Sequence, residues 1–218
     1  MGLRVAVDVV IFSVWDRDLK VLLVQRSPDS NAFPGFWALP GGALDQGESP
    51  DHAAARELNE ETALEGCFLE QLYTFGEPGR DPREFDNGDQ VISVAYYALV
   101  PQKMRRFVRP ADDVVAAKWV SCSELGTDWL AFDHDVIIQT AIDRVKGKID
   151  YAPIARGLVP DTFTVKELRE VYAAVKGESY SVSTFRRRFK RMQTDGVIEE
   201  APGSRETGGK PAKVFRFR

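Results

Sequence analysis

The segment from Gly41 to Leu64, GGALDQGESPDHAAARELNEETAL, restricts what this chain can fold into more than any other stretch. Ser49-Pro50 reads as a helix cap followed by proline in the first turn, where its missing N–H is not needed. The pattern predicts a helix of about 12 residues ending near Thr62. Glu57, Glu60 and Glu61 then stand at i, i+3 and i+4 and share a face, while Ala54 and Leu58 lie on another that can pack inward. Like charges at this spacing oppose a helix by roughly 0.2–0.5 kcal/mol per pair, and solvated acidic faces commonly alternate with lysine. The segment contains no lysine. A bound cation accounts for such acids, with a solvated charged face as the alternative; oxygen-only ligation favours Mg²⁺ or Mn²⁺ over Zn²⁺. A hard metal implies phosphate, and Gly41-Gly42 with the helix start allows close backbone approach of an anion.

Around this segment the chain reads as two modules. Residues 4–14 and 19–25 are β-branched and apolar on either side of Trp15-Asp16-Arg17-Asp18, a long hairpin. Residues 27–42 read as loop, 66–75, 90–100 and 115–120 as strands, and Gly76–Gly88 as a loop of functional length. Asp133–Lys146 reads as a helix with Val136, Ile137, Ala141 and Val145 on one face. The first module, residues 1–148, is therefore α/β. The second, residues 149–218, opens with Tyr151-Ala152-Pro153 near its start. Thr164-Val165-Lys166-Glu167 has capping-box form, and Val165, Leu168, Val171, Tyr172 and Val175 follow at helical spacing. Ser183 is positioned to cap a further helix with a Phe185, Phe189, Met192 stripe. Two short strands, Val197–Ala201 and Val214–Arg218, flank a Pro202–Lys213 loop. Helix, turn, basic helix and β-ribbon is the order of a winged helix-turn-helix.

Charge divides the same way. The formal net charge of −4 combines 15 Lys and Arg against 25 Asp and Glu in residues 1–150 with 14 against 8 in residues 151–218. The basic module is thus a candidate for a polyanion. In FRRRFKRM, Arg186, Arg187, Arg188, Lys190 and Arg191 put five cations within six positions. The apolar stripe anchors one side and leaves Thr184, Arg187, Lys190 and Arg191 for a groove of double-stranded DNA. Arg205, Lys210 and Lys213 stand where a wing would touch phosphates. With 44% hydrophobic and 28% charged residues, the composition excludes a disordered or disulfide-dense chain. The apolar run Val5–Trp15, broken by Asp8, falls short of the roughly 18 residues that span a bilayer. Neither a membrane anchor nor a secretory signal is expected, and a cytoplasmic location is. Cys67 and Cys122 read as reduced, packed thiols, and His52 and His134 as structural.

The acidic segment resembles the Nudix box, G-x5-E-x7-R-E-U-x-E-E-x-G-U with U apolar: Gly42, Glu48, Arg56, Glu57, Leu58, Glu60, Glu61 and Leu64 fit, and Ala63 stands where the pattern has its last glycine. The resemblance implies an α/β/α sandwich in which Glu57, Glu60 and Glu61 hold metal, Glu48 and Arg56 support them, and the ligand is a nucleoside diphosphate joined to another group. Thr74–Phe85, TFGEPGRDPREF, is similar to the loop of Nudix proteins that handle ADP-ribose. There Arg80 and Arg83 would meet a diphosphate, with Arg26, Gly41 and Gly42 nearby, and Phe36, Trp37, Tyr73 or Phe75 would stack on adenine. With FTVKELREVY, STFRRRF and GGKPAKVFRF added, nearly the whole chain resembles the Nudix-related transcriptional regulators of NAD metabolism. That likeness implies a bacterial homodimer that reads a palindromic operator through the winged helix and senses ADP-ribose or a related metabolite. Two alternatives stay open. One is a Nudix hydrolase giving AMP and ribose 5-phosphate; the other is a sugar-responsive regulator with a relic box, against which the intact carboxylates and Arg80-Asp81-Pro82-Arg83 argue.

Overall fold

The computed structural model describes residues 2–62, 67–84, 88–106, 114–126, 128–206 and 208–218. Strands β1 (Leu3–Trp15) and β2 (Asp18–Arg26) form the expected hairpin. Its two turn residues, Asp16 and Arg17, both take left-handed φ values of 54° and 61°, which matches the twist of a two-residue hairpin turn. Two short strands, β3 (Trp37–Ala38) and β4 (Gly41–Ala43), interrupt the segment expected to be loop. Helix α1 (Pro50–Thr62) follows, then β5 (Phe68–Phe75), β6 (Gln90–Leu99) and β7 (Val114–Ser121). One mixed sheet runs β3-β2-β1-β6-β5, with β4 also on β1 and β7 also on β2. β1 parallels β6 along Leu3–Phe12 but shares its other edge, pairing β2 at Phe12–Trp15 and β4 at Ala6–Asp8. A split opens where it changes partner.

The two-residue period of β1 divides its side chains between two layers. Val7, Val9 and Ile11 bury against Ala53, Ala54 and Leu58 of α1, so the inward face of that helix is the one its spacing predicts. Val10, Phe12 and Val14 face the opposite layer, helix α2 (His134–Lys148). The buried face of α2 is Ile137, Ile138, Ala141, Ile142 and Val145; Val136, expected inward, is exposed. A stripe at i, i+1, i+4, i+5 and i+8 is wider than the expected one and centred one residue further on.

The second module contains α3 (Val165–Lys176), α4 (Val182–Thr194) and the ribbon β8 (Ile198–Arg205) with β9 (Ala212–Phe217). Thr164 and Glu167 form the expected capping box, and Gly177 ends α3 at φ 68°. Ser181, not Ser183, caps α4: its hydroxyl accepts the Thr184 N–H at 3.1 Å and Ser183 lies inside the helix. The cap belongs to the last residue with extended backbone, and Ser181 has ψ 146°. Both strands run further into the wing than expected, and a register shift between Ala201 and Ser204 absorbs Pro202-Gly203. The core is continuous across the modules. Val10, Phe12 and Val14 of β1 share one buried cluster with Ile137 and Val145 of α2, Ile154 and Val159 of the connection, Leu168 and Val175 of α3, and Phe185 and Phe189 of α4. Arg17 to Glu170 at 3.7 Å and Lys103 to Asp161 at 3.1 Å add ion pairs across the join. Among the described residues no helix is long and apolar enough to cross a membrane.

Candidate functional site

The start of α1 brings the acidic residues together around Arg56. Ser49 caps the helix, its hydroxyl accepting the His52 N–H. Arg56 then donates to Glu48 Oε1 and Oε2 at 2.9 Å each, to Glu57 Oε1 at 2.8 Å and to Glu60 Oε2 at 3.0 Å. The acids thus have a compensating cation inside the helix, Arg56 at i−4 from Glu60, although the segment holds no lysine. Hydrogen bonding to Arg56 pulls the Glu48 carboxyl down to about 2 and, with Glu57 and Glu60, raises the Arg56 pKa. Glu57 is buried and rests on β4: a Cβ on Gly42 would stand 2.3 Å from its Oε1. Gly41 is equally confined, a Cβ there falling 2.2 Å from the Val7 carbonyl. The glycine pair therefore lets β4 lie flat between β1 and the Glu57 carboxylate. The side chain of Glu61, and all of Ala63 and Leu64, lie outside the described residues. Among the described residues no three acids, histidines or cysteines are arranged to hold a metal. In donor chemistry Glu57 and Glu60 suit a hard cation, oxygen ligands converging beside a backbone that an anion can approach.

On the other side of β4, at the split in the sheet, lies a cleft of about 200 Å³. It collects Arg26, Gly41, Gly42, Arg80 and Arg83 from three separate stretches of sequence. Phe36, Tyr73 and Phe75 are not among its walls; Tyr73 and Phe75 pack edge to face on the edge strand β5. Phe36 is linked to the cleft through a chain of rings, Phe36 on Phe33 and Phe33 on Phe132, and through its carbonyl, which accepts the Arg26 N–H at 2.9 Å. Phe132 itself lines the cleft at φ 54°, an uncommon conformation for a bulky residue, with the guanidinium carbons of Arg26 and Arg83 at 5.1 and 5.8 Å from its ring centre. Two cations around one ring make the mouth attractive to an anion that carries a flat base.

Beneath them sits a buried polar group that belongs to none of the sequence motifs. Asp8 accepts from Ser93 Oγ at 2.5 Å and faces His134 Nε2 at 3.3 Å and Arg80 at 3.7 Å. The Leu39 N–H donates to His134 Nδ1 at 2.8 Å, so the ring proton lies on Nε2, toward Asp8. Burial opposes ionisation of Asp8, yet His134, Ser93 and Arg80 outweigh it and hold the carboxyl below its usual value. Arg80 is almost enclosed and forms a fork with Asp133, at 3.0 and 2.6 Å. Arg83 pairs with Asp81 and keeps an outer flank exposed. A legible signal did exist for Asp8: it has the parity of Val10 and Phe12, so a charge there had to point into the molecule.

A larger cleft, about 1010 Å³, lies where the modules meet, lined by Phe68, Met104, Lys148, Ile154 and Arg216. Three of its cations are already paired, Lys148 with Glu70, Lys103 with Asp161 and Arg216 with Glu199, while Arg156 donates to the Arg218 carbonyl. The smaller cleft beside the carboxylates is the better ligand site on chemistry.

On the winged helix, Thr184, Arg186, Arg187, Lys190 and Arg191 of α4 are exposed, and Phe185 and Phe189 anchor the helix beneath them. Lys210 and Lys213 are exposed on the wing, Lys213 paired with Glu200. Two of the predicted cations turn inward. Arg205 joins the capping-box residue Glu167 and the Thr162 carbonyl; Arg188 bonds Asp150 at 2.8 Å.

Comparison with known proteins agrees with this arrangement. Residues 3–141 match the model of the NUDIX domain, and residues 155–217 that of the NrtR DNA-binding winged helix domain. The chain is 34% identical over 213 residues to the ADPR responsive transcriptional repressor NtrR of Acinetobacter baylyi, covering 97% of this chain and 80% of that protein. It superposes on Shewanella oneidensis NrtR complexed with a 27mer DNA with a TM-score of 0.82 and 31% identity, over 98% of this chain and 93% of that one. The NUDIX domain of the same Shewanella protein complexed with ADP ribose matches 66% of this chain and 88% of that one, at TM-score 0.53 and 35% identity. A Nudix domain and an NrtR winged helix thus follow each other in one chain, which belongs to the NrtR family of Nudix-related regulators.

Proposed function

We propose that this chain is a DNA-binding transcriptional repressor of NAD biosynthesis or salvage genes, controlled by ADP-ribose or a related metabolite bound to its Nudix domain. The observation that carries the reading is the joining of two sites by one core: an arginine- and glycine-lined cleft in the first module and an exposed basic helix in the second. Arg83 and Arg26 would receive a diphosphate and Phe132 a base. Thr184, Arg187, Lys190 and Arg191 would read the major groove, with Lys210 and Lys213 on the backbone. We place the module boundary at 148/149 and take a homodimer on a palindrome as the working form, in the cytoplasm. Titration of genomic duplex fragments with and without ADP-ribose tests the reading; no duplex bound under either condition would refute it.

A second reading is favoured by the intact acids. Nudix hydrolases in general use divalent metal. Here Glu57 and Glu60, with Glu61 on the same helix, would hold Mg²⁺ or Mn²⁺, with Glu48 and Arg56 fixing their orientation. The metal would neutralise diphosphate oxygens and lower the pKa of water. AMP release from ADP-ribose by the wild type, lost in Glu60→Gln/Glu61→Gln, would add hydrolysis to the sensor role. No release from the wild type would leave a sensor alone.

A further inference from the structure

Arg188 lies in the middle of the basic run, where spacing alone would give it to DNA, yet its guanidinium points away from the exposed face. It donates to Asp150 Oδ1 at 2.8 Å and lies 5.0 Å from the ring centre of Tyr172 in α3. Asp150, in the turn just after α2, accepts on its other oxygen from Lys176 Nζ at 2.7 Å. Lys176 also caps the end of α2 through the Lys146 carbonyl at 3.0 Å. One carboxylate, two residues past the last helix of the Nudix module, therefore holds both helices of the DNA-binding motif. The two bonds use different oxygens and come from different helices, so they fix a direction as well as a distance. The other end of α2 belongs to the ligand cleft, where Asp133 grips Arg80 and His134 faces Asp8. At 1.5 Å per residue, α2 spans roughly 22 Å between these ends.

We propose that Asp150 is a positioning residue for operator recognition: through Arg188 and Lys176 it sets the angle of the recognition helix against the Nudix module, and Arg188 serves this clasp instead of contacting DNA. The inference rests on the DNA-binding reading. A dimer that reads two half-sites must present its recognition helices at a fixed separation, so a clasp of this kind acts on site preference while leaving general attraction to DNA intact.

The test is a double-mutant cycle on the full-length protein, read as affinity for a duplex selected by the wild type from a random-sequence pool, relative to an unselected duplex of the same length. Asp150→Asn and Arg188→Gln are each expected to lower this ratio about tenfold, and the double variant by no more than either alone, as coupled partners behave. Asp150→Glu, which keeps the carboxylate, should restore most of the ratio. The salt dependence of binding to the unselected duplex should stay unchanged in Arg188→Gln, since loss of a phosphate contact would reduce the slope by about 0.9. Additive losses, or a reduced salt slope in Arg188→Gln, would return Arg188 to the DNA surface and overturn the proposal. Absence of any duplex binding by the wild type would instead overturn the DNA-binding reading on which it stands.

Discussion

Arg187 and Arg191 project from α4 free of the clasp that holds Arg188, so Arg187→Ala/Arg191→Ala should abolish preference for the selected duplex; undiminished preference in filter-binding titrations would remove α4 from recognition. Glu57 depends on the bare backbone of Gly42, whose added Cβ would meet its carboxylate at 2.3 Å. Gly42→Ala is expected to displace Glu57 and lower both the melting temperature and any turnover of ADP-ribose, while conserved values of both would show that the strand can yield. Glu48 titrates from about 2 in the folded protein against 4.5 unperturbed, because Arg56 binds its ionised form. A depressed pKa stabilises the fold above the unfolded value and loses that stabilisation as pH falls toward 2. The melting-temperature gap between wild type and Glu48→Gln should therefore be full at pH 6 and close progressively below pH 4.5. The box residues were legible because their spacing is local to one helix turn and its approach. Asp133 and His134 were not, since their partners Arg80 and Asp8 stand far away in sequence and meet them only through the sheet.

Among the elements, α2 joins the two modules. Ile137, Ile138, Ala141, Ile142 and Val145 share one buried cluster with residues of the sheet and of the winged helix, and the apolar stripe is accordingly broader than a surface helix needs. A sequence pattern reports one buried face and cannot say that two bodies share it, so the spacing points Val136 inward and does not single out Ile138 and Ile142. Elements defined by local chemistry fared better: the β1–β2 hairpin, the Ser49-Pro50 start of α1 and the Thr164/Glu167 box all stand where their turn and cap residues put them. The short strands β3 and β4 carry too few residues for any periodicity and exist because β1 and β2 offer them edges. Ile137→Ala, fully buried in the first turn of this helix, is expected to destabilise the protein by about 2–5 kcal/mol. Urea titration followed both by Trp fluorescence and by loss of duplex binding should give coincident midpoints. Unfolding of one module with the other intact would show that α2 does not unite them.

At the scale of the whole molecule, a continuous buried cluster from β1 to α4 makes a loose tether between sensor and reader an unsuitable picture. A ligand in the cleft acts on a body whose α2 helix begins at the Arg80–Asp133 fork and ends at the Asp150 clasp, so its effect on DNA must come from a changed arrangement of rigid parts. Such a ligand changes occupancy only when it favours one arrangement over the other. The measurement closest to this claim is a pair of operator titrations with the wild-type protein, without ADP-ribose and at a concentration that calorimetry shows to be saturating. The two midpoints are expected to differ by about 5-fold or more, the lower end of typical coupling between sites. Superimposable titrations in the presence of demonstrated ADP-ribose binding would contradict it.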